Sequence, residues 1–250
     1  MGFQKRSLIQ QGYSNLTSEQ LNSLQWGLRF TPTICMLGAV YGLATHNPIL
    51  LFVLAGVGIV PFWFPSHHPL DRLYNSLIAP ALGAMQLPAN PLPRRIACLS
   101  GGAMNVLAAT AFLLGAPTAA YLFGGILIAL QLMVNLTHFC VASFGIEMML
   151  RAVGKSLPST LIDGTMAREL INQGAHLIDV RDASEYAMGS LPGSRNLPLG
   201  ELADHVEALL SDAQPVVLYC QSGGRSKLAH GLLAQRGLCG LHNLGGIDRW

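Results

Sequence analysis

Two long uncharged, apolar stretches dominate the first half of the chain. Residues 30–70 and 96–146 contain no Asp, Glu, Lys or Arg. Each is too long for one membrane span and about right for two of roughly 20 residues. In the first stretch Thr45-His46-Asn47-Pro48 is the natural break, because Asn-Pro marks a turn. That predicts helices over 29–45 and 49–65, the second kinked or ended by Pro61. In the second stretch Gly115-Ala116-Pro117 separates spans at 96–114 and 118–140. Gly101-Gly102 and Gly124-Gly125 are small-residue patches at which helices approach closely. Residues 66–95 read as a loop rich in Pro, His and Arg, and residues 1–28 as a polar lead. Within that lead, Thr17 or Ser18 can cap a short helix through Leu21, Leu24 and Trp26.

The pattern changes after Pro158. A helix is expected at 165–172 behind an Asp163 cap, then a strand at 176–180, a helical turn from Asp182 and a turn and strand at 191–198. Helix 201–210, strand 215–219, helix 226–236, strand 240–244 and a Gly245-Gly246 turn follow. Strands alternating with helices imply a parallel sheet covered on both faces. The expected organisation is an N-terminal segment 1–28, a four-helix transmembrane domain 29–150, a linker 151–158 and an α/β domain 159–250.

Charge supports this division. Only 11% of the 250 residues are charged, against about 25% in ordinary soluble proteins. Residues 151–250 hold nine of the 15 basic and ten of the 13 acidic residues. The net charge of +2 argues nothing about nucleic acid; no basic stripe is interleaved with aromatics, so no nucleic-acid partner is expected, and the expected partner is a lipid bilayer. With four spans, Lys5, Arg6, Arg29, Arg72, Arg94, Arg95, Arg151 and Lys155 share one side, and the opposite turns 45–48 and 115–117 carry no basic residue. The positive-inside rule then gives a multi-pass inner-membrane protein with both termini and the α/β domain in the cytoplasm. A homo-oligomer through the membrane helices is compatible with this arrangement. Asn105, Gln131, Asn135, Thr137 and His138 read as interhelical hydrogen-bonding groups, a polar path through the bundle being the functional alternative.

The five cysteines form no CxxC pair and no metal-ligand spacing, so neither a disulfide framework nor a metal is expected. Adjacent His67 and His68, with only Asp71 nearby, are read as structural or solvated. No cofactor is implied. The candidate chemistry lies at 216–226, where a β-rich run ends in Cys220, a small polar loop follows and a helix begins. Loop N–H groups and a helix N-terminus make an anion cradle, and the same field favours a thiolate. Arg225 adds a full charge, so the arrangement fits nucleophilic attack on an anionic substrate.

Four ordered motifs resemble a single-domain rhodanese over about residues 159–250. They are Leu177-Ile178-Asp179-Val180-Arg181; Glu185-Tyr186 with Gly189-Ser190-Leu191-Pro192-Gly193-Ser194-x-Asn196-Leu197-Pro198; Tyr219-Cys220-Gln221-x-Gly223-x-Arg225-Ser226; and Leu244-Gly245-Gly246-x-x-x-Trp250. The family often has His where Ser190 stands. Residues 29–150 resemble, through 68–75 and 90–95, an uncharacterised four-helix bacterial membrane domain, which supplies topology but no activity. That family often has a cysteine at the position of Ser143.

The rhodanese resemblance implies sulfurtransferase activity. Cys220 would take the outer sulfur of thiosulfate as a persulfide and pass it to a thiol or cyanide. Gln221, Ser222, Gly223, Gly224 and Ser226 would form the substrate-binding loop. Arg225 would either attract the anion or pair with Glu185 to brace the loop. Asp179 and Arg181 would support the loop or serve only the fold. Cys239 is expected to be passive. A phosphatase or arsenate reductase of related fold is the rival enzyme, but such enzymes need five residues between Cys and Arg, and here only 221–224 intervene. A transporter or sensor of a small sulfur compound, with the α/β domain as sulfur relay, is the rival from another class.

Overall fold

The computed structural model describes residues 3–152, 161–212 and 214–250, so most of the expected linker lies outside the described residues. Two compact units form, one from Gln20–Ile146 and one joining Met1–Glu19 to Glu147–Trp250. In chain order the first helices are α1 (Phe3–Gln10), α2 (Ser18–Ala44), α3 (Pro48–Trp63), α4 (Pro69–Leu73), α5 (Ala79–Leu82), α6 (Leu92–Leu113), α7 (Pro117–Thr137) and α8 (Val141–Ala152).

The helical unit breaks where Asn-Pro and Ala-Pro dictate. Asn47 caps α3, its side chain accepting from the Leu50 N–H at 3.1 Å, and Pro48 and Pro117 open α3 and α7 at positions where a missing N–H is harmless. Glycines bring α3 and α6 close together. A Cβ on Gly58 would lie 2.7 Å from the Cys98 carbonyl oxygen, and one on Gly102 would lie 2.9 Å from that of Ala55. Among the described residues two helices, α6 and α7, are long and apolar enough to cross a membrane; α3 is apolar but has 16 residues.

This unit has an apolar core around Leu43, Leu51, Ala108 and Ala109, and it also exposes apolar side chains and buries polar ones. Leu37, Ile49, Val53, Leu113, Leu122 and Leu136 are exposed, while Thr31, Asp71, Asn90, Arg94 and Asn105 are buried. Asp71 collects the polar groups: it accepts from Thr31 at 2.6 Å, Asn90 at 2.9 Å and Arg94 at 3.2 Å.

Two local expectations are corrected. The stretch 66–95 is not a plain loop: α4, a π-helical turn Tyr74–Ile78 and α5 occupy its first half. The Asn75 side chain bonds both the N–H and the carbonyl of Leu87, and the Asn90 N–H bonds the Pro65 carbonyl, so the segment closes on itself. His68 is buried at the N-cap position of α4 and His67 is exposed, in line with the structural or solvated reading of the pair. The short helix expected near Leu21 is the start of α2, which runs unbroken through Pro32.

The second unit continues with α9 (Gly164–Asn172), β1 (His176–Asp179), α10 (Ala183–Ala187), β2 (Arg195–Asn196), α11 (Val206–Asp212), β3 (Val216–Cys220), α12 (Gly224–Arg236) and β4 (Leu241–Gly246). The four strands are parallel, in the order β2-β1-β3-β4. Successive side chains of a strand face opposite sides. Val216, Leu218 and Cys220 therefore join Leu202, Val206, Leu209, Ala229 and Leu233 on one face, while Val217 and Tyr219 join Ile162, Ala167, Leu191 and Leu244 on the other. β3 is buried throughout, as a central parallel strand must be. Asp163 caps α9 as expected, accepting from the Met166 N–H at 2.8 Å. Gly245-Gly246 is not a free turn. β4 runs through both residues, with a register shift opposite Leu218 and Tyr219 that the positive φ of Gly245 permits.

Candidate active site

β3 delivers Cys220 to the carboxyl end of the sheet, where open α/β sheets place their ligands. The chain then turns at Gly223, whose φ of 92° lies in the left-handed region, and enters α12. This turn folds backbone N–H groups over the sulfur. Cys220 Sγ accepts from the Gly223 N–H at 3.1 Å and the Ser226 N–H at 3.4 Å. Burial alone would raise the thiol pKa; the N–H groups of Ser226, Ser222 and Gly223 and the Ser226 hydroxyl outweigh it and bring it below the ordinary value. Ser226 is fully buried and donates to the carbonyls of Gly223 and Gly245, tying the helix start to β4. Cys220 is 1% exposed, beneath exposed Gln221 and Ser222.

The charged residues brace this loop. Arg225 donates to Glu185 with both terminal nitrogens, Nη2 at 2.8 Å, and approaches Asp182 at 3.5 Å. Its hydrogen bonds press the Glu185 pKa down to about 2. Of the two roles open to Arg225, its geometry matches pairing with Glu185. Arg181 lies against buried Asp179, with Nη2 2.7 Å from Oδ2, and reaches Gln221 Oε1 at 3.1 Å and the Gly189 carbonyl at 2.7 Å. Asp179 and Arg181 thus join the sheet end to the first residue of the loop.

Two contributors escaped the sequence reading. Asp182 shares Arg225, although its position at the start of α10 had marked it only as a helix start. Gly246 faces the loop through a bridge to Ser222. A Cβ on Gly246 would collide with the Asp248 carboxylate and lie 3.1 Å from the Gln221 carbonyl oxygen. The Gly-Gly pair was visible in the sequence, but nothing local marked it as a wall of the site. Cys239 lies at the far end of the sheet. Leu241 pairs with Val216 while Gly246 pairs with Cys220, and five residues of strand span about 16 Å. Burial raises the Cys239 pKa.

Comparison with known proteins agrees with this geometry. Residues 164–250 match the rhodanese-like domain, and residues 25–151 match a domain of unknown function, DUF4395. Thiosulfate sulfurtransferase GlpE of Pseudomonas paraeruginosa is 35% identical over 85 residues, covering 34% of this chain and 76% of the relative. The uncharacterized protein YqhL of Bacillus subtilis is 40% identical over 77 residues, covering 30% of this chain and 60% of that protein. The solved structure of human single-domain sulfurtransferase TSTD1 shares 30% identity, covers 37% of this chain and 96% of that one, and has a TM-score of 0.32. The chain belongs to the rhodanese family of sulfurtransferases through its C-terminal domain, which it carries behind an N-terminal domain of the DUF4395 family.

Proposed function

We propose that the protein is a membrane-anchored sulfurtransferase that takes a sulfane sulfur from thiosulfate or a similar donor and hands it to a thiol. The observation that carries this reading is the Cys220 sulfur held by two loop N–H groups at the mouth of the sheet. The Cys220 thiolate attacks the outer sulfur of the donor. The donor S–S bond breaks, sulfite leaves with its electron pair, and Cys220 carries a persulfide. A thiolate acceptor then attacks the terminal sulfur, and the Cys220 thiolate is regenerated. Covalent catalysis splits the transfer into two easier steps. The N–H groups of 221–225 stabilise the negative sulfur, which forms where they already point.

In this reading Gln221, Ser222, Gly223, Gly224 and Ser226 bind the donor, Arg225 and Glu185 brace the loop, and Asp179 and Arg181 hold Gln221. The short loop and the engaged Arg225 favour a sulfur atom over a tetrahedral oxyanion and weigh against a phosphatase or arsenate reductase. Steady-state transfer from thiosulfate to cyanide tests the assignment. Cys220→Ser must abolish turnover while the protein still folds, and persistent turnover would remove Cys220 from the mechanism.

The membrane part of the proposal has α2, α3, α6 and α7 as four spans, with the termini and the rhodanese domain in the cytoplasm. Its support is the exposed apolar side chains, the buried polar cluster around Asp71 and the one-sided basic residues. The buried Thr31–Asp71–Asn90–Arg94 cluster favours a second reading, in which the helical domain also conducts a small polar solute. Uptake of labelled thiosulfate or sulfite into vesicles distinguishes conduction from anchoring.

A further inference from the structure

The residues ahead of α2 fall outside both family matches, which cover 25–151 and 164–250. They nevertheless belong to the same compact unit as the parallel sheet. α1 packs against α12. Leu8 is 0% exposed and Tyr13 is 1% exposed, and Ile9 is buried beside them in sequence. The chain turns at Gly12, whose φ is 101°. The carbonyl of Ser14 then accepts from the Leu241 N–H at 2.9 Å, and that of Leu16 from the Gly240 N–H at 2.8 Å. Ser14 Oγ lies 3.5 Å from His230 Nε2 on α12.

A polar lead with no role would leave its apolar side chains in solvent and its carbonyls bonded to water. Here buried N–H groups at the start of β4 find their acceptors in the lead, which is how such groups are normally satisfied. Two apolar anchors are sealed, and a glycine supplies the one backbone conformation that other residues adopt poorly. The contacts grip α12 and the entry to β4, at the end of the sheet away from Cys220, so they leave the active-site opening clear.

We infer that residues 3–16 are an intramolecular clamp that makes the N-terminal lead a structural part of the rhodanese domain. The clamp runs directly into α2, so the chain leaves the unit that holds the sheet at two places, after Glu19 and before Glu147, and the clamp secures the first of them. This rests on the fold of the rhodanese domain and is independent of the proposed sulfur transfer and of the bilayer. The clamp also grips α12, the helix whose N-terminus cradles the thiolate.

The test is to insert a protease site at the border of the two units, between Ile146 and Glu147 of the full-length chain, cut it in detergent and capture the protein by a tag in the turn at 115–116. The C-terminal fragment is expected to remain bound to the N-terminal half. Excess synthetic peptide of residues 1–19 is expected to release it. Leu8→Asp with Tyr13→Asp should weaken retention about tenfold or more, the equivalent of losing one buried leucine. Separation of the fragment on cutting, before peptide is added, would overturn the clamp. So would retention that withstands the peptide, which needs no altered protein and therefore does not depend on the double variant folding.

Discussion

Gly223→Ala probes the sulfur cradle at its most constrained point. Gly223 has φ 92° and ψ −11°, and an L-residue held in the left-handed region costs about 1–2 kcal/mol. Space is not the obstacle, because the new Cβ would lie 3.4 Å from Gly245 Cα, an ordinary contact. The loop has two ways to respond. If it keeps its shape, the strain appears as about 1–2 kcal/mol of lost stability. If it relaxes, the Gly223 N–H leaves Cys220 Sγ. A hydrogen bond to a charged group contributes about 1.5–3 kcal/mol, which corresponds to a rise of about 1–2 units in the thiol pKa. The assay follows alkylation of the Cys220 peptide against pH by mass spectrometry, alongside urea unfolding of the same protein. The reasoning requires one of the two quantities to move. Alkylation and unfolding midpoints that both match the unaltered protein would refute the claim that this turn holds the thiolate.

Other consequences can be checked separately. Glu185→Gln removes the charge that engages Arg225 and should lower kcat/KM for thiosulfate by about tenfold while leaving the unfolding midpoint nearly unchanged, because the pair is solvent-facing; unaltered kinetics would confine the pair to a surface role. Burial holds the His230 pKa down to about 4 against 6.5 unfolded, so its contribution to stability is complete above about pH 6.5 and is lost as the pH falls towards 4. The expected loss between pH 7 and pH 4.5, about 2 kcal/mol, is read by urea unfolding at the two pH values, and a flat profile would contradict it. Gly102→Leu drives a side chain into the Ala55 carbonyl and should lower the thermal midpoint of the helical domain in detergent, leaving persulfide formation intact. Impermeant labelling of cysteines placed in 45–48 should succeed only from outside the cell, and labelling only from the cytoplasm would reverse the proposed orientation.

The strand-loop-helix at 216–226 was legible because several local signals agree there: a β-branched run, a nucleophile at its end, small loop residues and helical periodicity beyond. The Asp163 cap and the breaks at Asn47-Pro48 and Ala116-Pro117 were legible for the same reason, since capping and proline chemistry act within a few residues. What escaped depends on contacts distant in sequence. Arg225 offered two roles until the fold brought Glu185 against it from 40 residues away. The helical turns at 69–82 were masked by flanking prolines and are held by Asn75 reaching Leu87 and Asp71 reaching Arg94. The N-terminal lead looked polar because its few apolar residues, Leu8, Ile9 and Tyr13, show no period long enough to read, and their burial comes from the opposite end of the chain.

The central claim is that Cys220 carries the sulfur. Intact mass of the purified protein before and after thiosulfate tests it most directly, with Cys220→Ser measured beside it. The account predicts a gain of one sulfur atom, removed by cyanide and absent from the Cys220→Ser protein. A gain that persists in Cys220→Ser would contradict it, as would an unaltered protein that gains no sulfur from thiosulfate or from any other sulfane donor offered.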